Sequence, residues 1–154
     1  MMKVDRSILI DTNVLLTATA PSRPLHRQAY ELLDQWPNRG AALLTTGQIL
    51  REYLVVATRP VEVNGLGLSP ETALGNAGRL WGRMVFLQET KETLEELVRL
   101  VAEKGCSGKQ IHDANLVAVL RSHGARRILT SNAKDFSRFS DLIEVVDLAT
   151  PGLV

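Results

Sequence analysis

The chain has 154 residues, 45% hydrophobic and 23% charged, with a net charge of +1 at pH 7. That length buries a core unaided, so one domain over residues 1–154 is expected; no Lys/Arg run resembles a nucleic-acid tail, and the net charge neither repels nor specially attracts a polyanion. Cys106 is the single cysteine, which excludes a disulfide framework or a cysteine zinc site within the chain, and no stretch approaches the roughly 18 apolar residues of a membrane span. With Asp5 and Arg6 interrupting any apolar signal region, a cytoplasmic protein with no membrane partner is expected.

Ser7 to Ile10 is a short apolar run and reads as a buried strand. Ala29, Leu32, Leu33 and Trp36 recur at helical spacing, and Pro37-Asn38-Arg39-Gly40 ends that helix. Ala42 to Thr45 reads as a second strand. From about Gly47 to Ala57, with Thr46 as N-cap, a helix buries Ile49, Leu50, Tyr53, Leu54 and Ala57. Val61 to Ser69 reads as a loop, and Ser69-Pro70-Glu71 starts a helix with a cap, a first-position proline and an acid in the first turn. Val85 to Leu87 reads as a third strand. Thr90 opens a helix whose buried face carries Leu94, Leu97, Val98 and Val101, with Glu92, Glu95, Glu96 and Arg99 toward solvent. A Gly-Cys-Ser-Gly loop follows, then a helix from Asp113 to His123 ended by Gly124, and strands at Arg127 to Leu129 and Ile143 to Val146. Strands alternating with helices predict an α/β domain with a mostly parallel sheet.

In such a sheet ligands bind beyond the carboxyl ends of the strands, which is where Asp11 falls. Glu52, on the border of its helix's apolar stripe rather than opposite it, is a candidate to reach the same crevice. Asp113 projects between Leu116, Val117 and Leu120, toward the buried side of its helix, where an acid needs a partner. Asp135 sits in the polar cluster Thr130 to Phe136 after a later strand. Two carboxylates about 4 Å apart repel by roughly 4 kcal/mol at an effective dielectric of about 20, so proton uptake, a Lys or Arg partner, or a divalent cation has to compensate. Oxygen ligands among small Ser, Thr and Asn neighbours suit Mg²⁺ or Mn²⁺, and such a site stabilises phosphoryl transfer without a nucleophilic side chain.

Each acid also has a plainer reading. Asp11 fits an N-cap for a helix beginning near Asn13, Asp113 a helix N-terminus, Glu52 an ion pair with Arg51, Arg59 or a lysine elsewhere, and Asp135 a cap for a short helix suggested by Phe136 and Phe139. His26, His112 and His123 share no zinc spacing, no serine sits in G-x-S-x-G, and Gly65 to Gly67 lacks the rest of a phosphate loop. A serine hydrolase and a P-loop NTPase are therefore disfavoured. Arg51, Lys109, Lys134 and Arg138 are the basic candidates for an RNA path, while Tyr53 reads first as core.

ILIDTNVLL (Ile8 to Leu16), QILREYL (Gln48 to Leu54), IHDANLVAVL (Ile111 to Leu120) and ILTSNAKDF (Ile128 to Phe136) come in this order along the chain. Together they resemble a PIN-domain ribonuclease, and the sequence looks like a VapC-type toxin of a toxin-antitoxin system. The resemblance implies a three-layer α/β/α domain, and an endoribonuclease that uses Mg²⁺ or Mn²⁺ to activate water against RNA, leaving a 5′-phosphate and a 3′-hydroxyl. It also implies a cognate antitoxin and a homodimer. Carried over by position, Asp11, Glu52 and Asp113 are metal-site carboxylates, with Thr12 or Asn13 and Thr130 or Ser131 orienting them or a bound water. Many relatives carry Asp where this chain has Asn132, so either Asp135 substitutes or Asn132 coordinates as a neutral ligand. Asn132 also motivates a second hypothesis, a weakened PIN module that binds RNA or a protein partner. A third, a haloacid-dehalogenase-type phosphatase, wants a second acid where Asn13 stands.

Overall fold

The computed structural model describes residues 6–150; residues 1–5 and 151–154, Asp5 among them, lie outside the described residues. Strands β1 (Ser7–Ile10), β2 (Ala42–Thr46), β3 (Val85–Leu87), β4 (Arg127–Thr130) and β5 (Glu144–Asp147) form one sheet in the order β3-β2-β1-β4-β5. Every neighbouring pair is parallel, with Leu9 opposite Leu44 on one side and Ile128 on the other. Ile8, Leu9 and Ile10 are fully buried, as a central parallel strand covered on both faces requires.

Among the described residues six α-helices connect the strands: α1 (Thr12–Ala18), α2 (His26–Gln35), α3 (Gly47–Thr58), α4 (Pro70–Trp81), α5 (Lys91–Lys104) and α6 (Gln110–Ser122). Packing of α1 on α2, α1 on α3 and α3 on α4 joins the first four into one layer, and α5 packs on α6. Right-handed crossovers that run from β1 through β2 to β3 in one direction and back from β3 to β4 in the other place these two groups on opposite faces of the sheet. The result is the expected α/β/α sandwich. Among the described residues no helix is long and apolar enough to cross a membrane.

Helix starts follow the local chemistry. Thr46 Oγ1 accepts from the Ile49 N–H at 3.2 Å, and Ser69 Oγ accepts from the Thr72 N–H at 3.1 Å. Ser69 is exposed, so Ser69→Ala isolates the cap: a loss of about 1 kcal/mol is expected, read as a lower urea midpoint at unchanged slope. An unmoved midpoint would show that the cap contributes nothing there.

Three expectations need correction. On α5, Leu94 and Val98 are 60% and 64% exposed, whereas Thr93 and Leu100 are buried and Leu97 and Val101 are partly so. Polar links turn the helix: Thr93 Oγ1 shares a hydrogen bond with Ser122 Oγ of α6 at 2.9 Å, and Glu96, expected in solvent, accepts from Arg121 Nε at 2.6 Å and pairs with Arg99. Helix α6 begins at Gln110, a turn before Asp113, so Asp113 caps nothing. Asp135 does not cap either; it lies exposed in the first turn of a 3₁₀ helix, Ala133–Phe139, whose preceding residue Asn132 makes no side-chain cap. The loop after α3 holds one further 3₁₀ turn, Val61–Val63.

Candidate active site

Strands β1 and β4 are neighbours, yet the chain leaves β1 toward β2 and leaves β4 toward β5. Their carboxyl ends therefore flank a crevice at the point where the strand order reverses. Asp11 follows β1 there, and Thr130 ends β4.

Asp11 is a helix cap and more. Its Oδ1 accepts from the Thr12 N–H at 2.8 Å, as the plainer reading requires. Its Oδ2 accepts from Thr130 Oγ1 at 2.8 Å and from Asn13 Nδ2 at 3.2 Å. Two donors fill Oδ2, while Oδ1 keeps one acceptor site free. Asn13 is locked in turn, because its Oδ1 accepts from the Ser131 N–H at 3.0 Å. The sequence left Thr12 or Asn13, and Thr130 or Ser131, as the orienting groups. Thr130 serves Asp11 with its hydroxyl, whereas Ser131 contributes its backbone.

Glu52 is half-buried and paired with neither Arg51 nor Arg59. Thr12 Oγ1 donates to its Oε2 at 2.9 Å, which ties α3 to the first residue of α1. Gln48 Nε2 donates to its Oε1 at 2.8 Å. Sequence reasoning did not single out Gln48, although a residue four before Glu52 on one helix shares its face. Asp113 is half-buried, and among the described residues its carboxylate makes no hydrogen bond or ion pair.

The acids act on one another. Burial pushes the Asp11 carboxyl up from 3.8 to about 6, against the hydrogen bonds from Thr130 and Thr12, and the charges of Glu52 and Asp135 push the same way. Asp113 also rises to about 6, first through desolvation and then through the charges of Asp11, Asp135 and Glu52. Asp135, rather than Asn132, is thus the fourth group that adds charge to this edge. Asn132 is exposed, and its contribution is a backbone N–H donated to Thr130 Oγ1 at 3.0 Å.

No ion pair neutralises any of the four acids among the described residues. Nor are three or more His, Cys, Asp or Glu side chains among the described residues gathered tightly enough to hold a metal as they stand. The donors are hard oxygens, the chemistry that Mg²⁺ or Mn²⁺ takes, and Asp113 has no hydrogen bond to hold it back from a cation. The residues fit such an ion in kind and in charge.

A cleft of about 350 Å³ opens beside Glu52, bordered by Arg51, His112 and Asn115. Arg138 is occupied, donating to Gln110 Oε1 at 3.0 Å. Lys109 and Lys134 are exposed. His26 and His123 bond the backbone carbonyls of Thr17 and Gln88, and Tyr53 is buried with its hydroxyl bonded to Thr19, so none of the three belongs to the site.

A family model described as PIN domain matches residues 8–142. The chain is 31% identical to Ribonuclease VapC24 of Mycobacterium tuberculosis over 136 residues, covering 84% of this chain and 89% of that protein. Among solved structures it is similar to VapBC2 from Rickettsia felis bound to a DNA fragment from its promoter, with a TM-score of 0.68, 15% identity, and coverage of 92% and 98% of the two chains. It is also similar to a toxin-antitoxin complex from Klebsiella pneumoniae, with a TM-score of 0.60, 22% identity, and coverage of 93% and 98%.

Proposed function

The chain belongs to the PIN domain family, and from that premise we propose that it is a divalent-metal-dependent endoribonuclease acting as the toxin of a toxin-antitoxin pair. The observation that carries this reading is the set of unneutralised acids from four segments, Asp11, Glu52, Asp113 and Asp135, whose charges act on one crevice. A relative bearing the name ribonuclease over most of its length supports the same chemistry.

Asp11 and Asp113 would hold Mg²⁺ or Mn²⁺ with Glu52, and Asp135 would complete the site. Bound there, the ion supplies a Lewis acid for the phosphodiester and offsets the mutual repulsion of the acids. The chain's own part is orientation. Thr130 and Asn13 fix Oδ2 of Asp11, and Thr12 and Gln48 each take one acceptor position on Glu52, leaving each Glu52 oxygen capacity to orient water. Water attacks phosphorus in line, the P–O3′ bond breaks, and the 3′ oxygen leaves with a proton, giving a 5′-phosphate and a 3′-hydroxyl. Arg51, beside Glu52 and without an ion pair among the described residues, would meet a neighbouring phosphate in this reading.

An antitoxin and a second copy of the chain are the protein partners in this reading, in a cytoplasmic setting. Supporting them are a groove of about 380 Å³ away from the acids, with Tyr30 and Leu80 among its walls, and the bare Leu94 and Val98 on α5. The phosphatase reading falls with the family match, and a PIN module without turnover is not favoured by a relative named as an enzyme.

The test is cleavage of a random-sequence RNA pool by the purified chain, with EDTA, then with Mg²⁺ or Mn²⁺ restored. Cuts that need the metal and leave 5′-phosphate ends are expected. Metal-independent cutting, or none in the presence of saturable Mn²⁺ binding, would overturn the assignment.

A further inference from the structure

We propose that Gln48 is a positioning residue, whose amide ties the Glu52 carboxylate to the first turns of α6 and so sets the separation of Glu52 from Asp113. This rests on the ribonuclease reading above. Glutamine is usually exposed, but Gln48 is only 5% so, and its amide is used on both sides. Nε2 donates to Glu52 Oε1 at 2.8 Å and to the His112 carbonyl at 3.1 Å, and Oε1 accepts from Asn115 Nδ2 at 2.8 Å. Asn115 Nδ2 also donates to Glu89 Oε1 at 2.8 Å, which draws the segment between β3 and α5 into the same network.

These partners are not an arbitrary set. Both hydrogen bonds that cross between α3 and α6 among the described residues end on this one amide. His112 shares a peptide bond with Asp113, so the group that holds Glu52 also holds the backbone that carries the other acid. The helices bear carboxylates whose charges oppose each other, and a cross-link between them resists their separation.

The chemistry of the link matters as much as its place. An arginine or lysine at position 48 would hold Glu52 equally well and cancel its charge. A neutral amide orients the carboxylate while leaving its charge for a cation. An i,i+4 side-chain pair alone steadies a helix only slightly and needs no burial. The buried reach to a second helix is what a purely helical role leaves unexplained. Neutral groups that orient metal ligands are typically worth about 10- to 100-fold in metal affinity.

The experiment titrates MnCl₂ alone into the full chain by calorimetry, and separately measures the Mn²⁺ concentration that half-activates cleavage of the random RNA pool. Gln48→Leu is expected to raise both by about tenfold or more. Gln48→Asn, which keeps the amide but loses the reach, is run beside it so that a folding defect in the leucine variant does not decide the outcome; the same weakening is expected. In a Glu52→Gln background, Gln48→Leu should add less than about a twofold change, because a residue that acts through Glu52 has nothing left to position. Wild-type Mn²⁺ affinity in both variants, or a full further loss in the Glu52→Gln background, overturns the proposal. A wild-type chain that neither binds Mn²⁺ nor cuts RNA defeats the ribonuclease reading itself.

Discussion

Asp11→Asn is expected to lower RNA cleavage by about a thousandfold or more while the chain stays folded. Asparagine retains a carbonyl oxygen for the Thr12 N–H, so the start of α1 keeps its cap. What it loses is the charge, and with it the acceptor of the Thr130 hydroxyl and the Asn13 amide on the other oxygen. A Nδ2 group there faces two donors. That mismatch costs stability, partly offset by removing a buried charge, so a thermal midpoint within a few degrees of the parent is the expectation. Cleavage within tenfold of wild type, in a variant with an unchanged circular dichroism spectrum, would remove Asp11 from the machinery.

Asp113→Asn should separate function from stability in the opposite sense. Cleavage should again fall by about a thousandfold, yet the metal-free variant should melt a few degrees above wild type at neutral pH. Asp113 has no hydrogen bond to lose among the described residues, and its carboxyl is held at about 6 by burial and by the acids around it. A carboxyl whose pKa is raised on folding binds its proton more tightly in the native state. Its contribution to stability is therefore full below 3.8 and is lost as pH rises through about 6. Because Asp113 is half-exposed, solvent screening keeps the expected difference to about 1 kcal/mol rather than the full value of the shift. Melting curves without metal should thus show the wild type falling relative to Asp113→Asn from about pH 4 to about pH 6.5, then running parallel. A variant less stable than wild type at neutral pH would show that the acid is satisfied in the metal-free chain.

Much of the frame was readable from residues alone, because β1 has three fully buried aliphatic residues and α3 and α4 carry side-chain caps that sit next to their first turns. Asp113 was readable as an inward acid because helical geometry fixes direction once the helix is placed, even with its start misjudged by a turn. Local pattern fails where a distant partner decides. On α5 the apolar repeat named Leu94 and Val98, but Ser122 and Arg121 on the neighbouring helix reward the edge with Thr93 and Glu96. The Gln48 network was hidden for the same reason, since its Asn115 partner lies 67 positions away. That the charge of Asp135 acts on both Asp11 and Asp113 was hidden as well, because no spacing rule supplies the distances between segments so far apart in the chain.

The open sheet ends in two unlike edges. β3 has three residues, with Val85 and Phe86 exposed and the Phe86 ring 6.0 Å from that of Trp81, whereas β5 closes the other side with Glu144 exposed and Asp147 at its end. Charge along an edge discourages another strand from pairing with it, and a ladder of three residues is too short to hold one firmly. Self-association through backbone pairing is thus disfavoured at both margins by different means, and the β3 side favours contact through aromatic and aliphatic side chains over sheet extension.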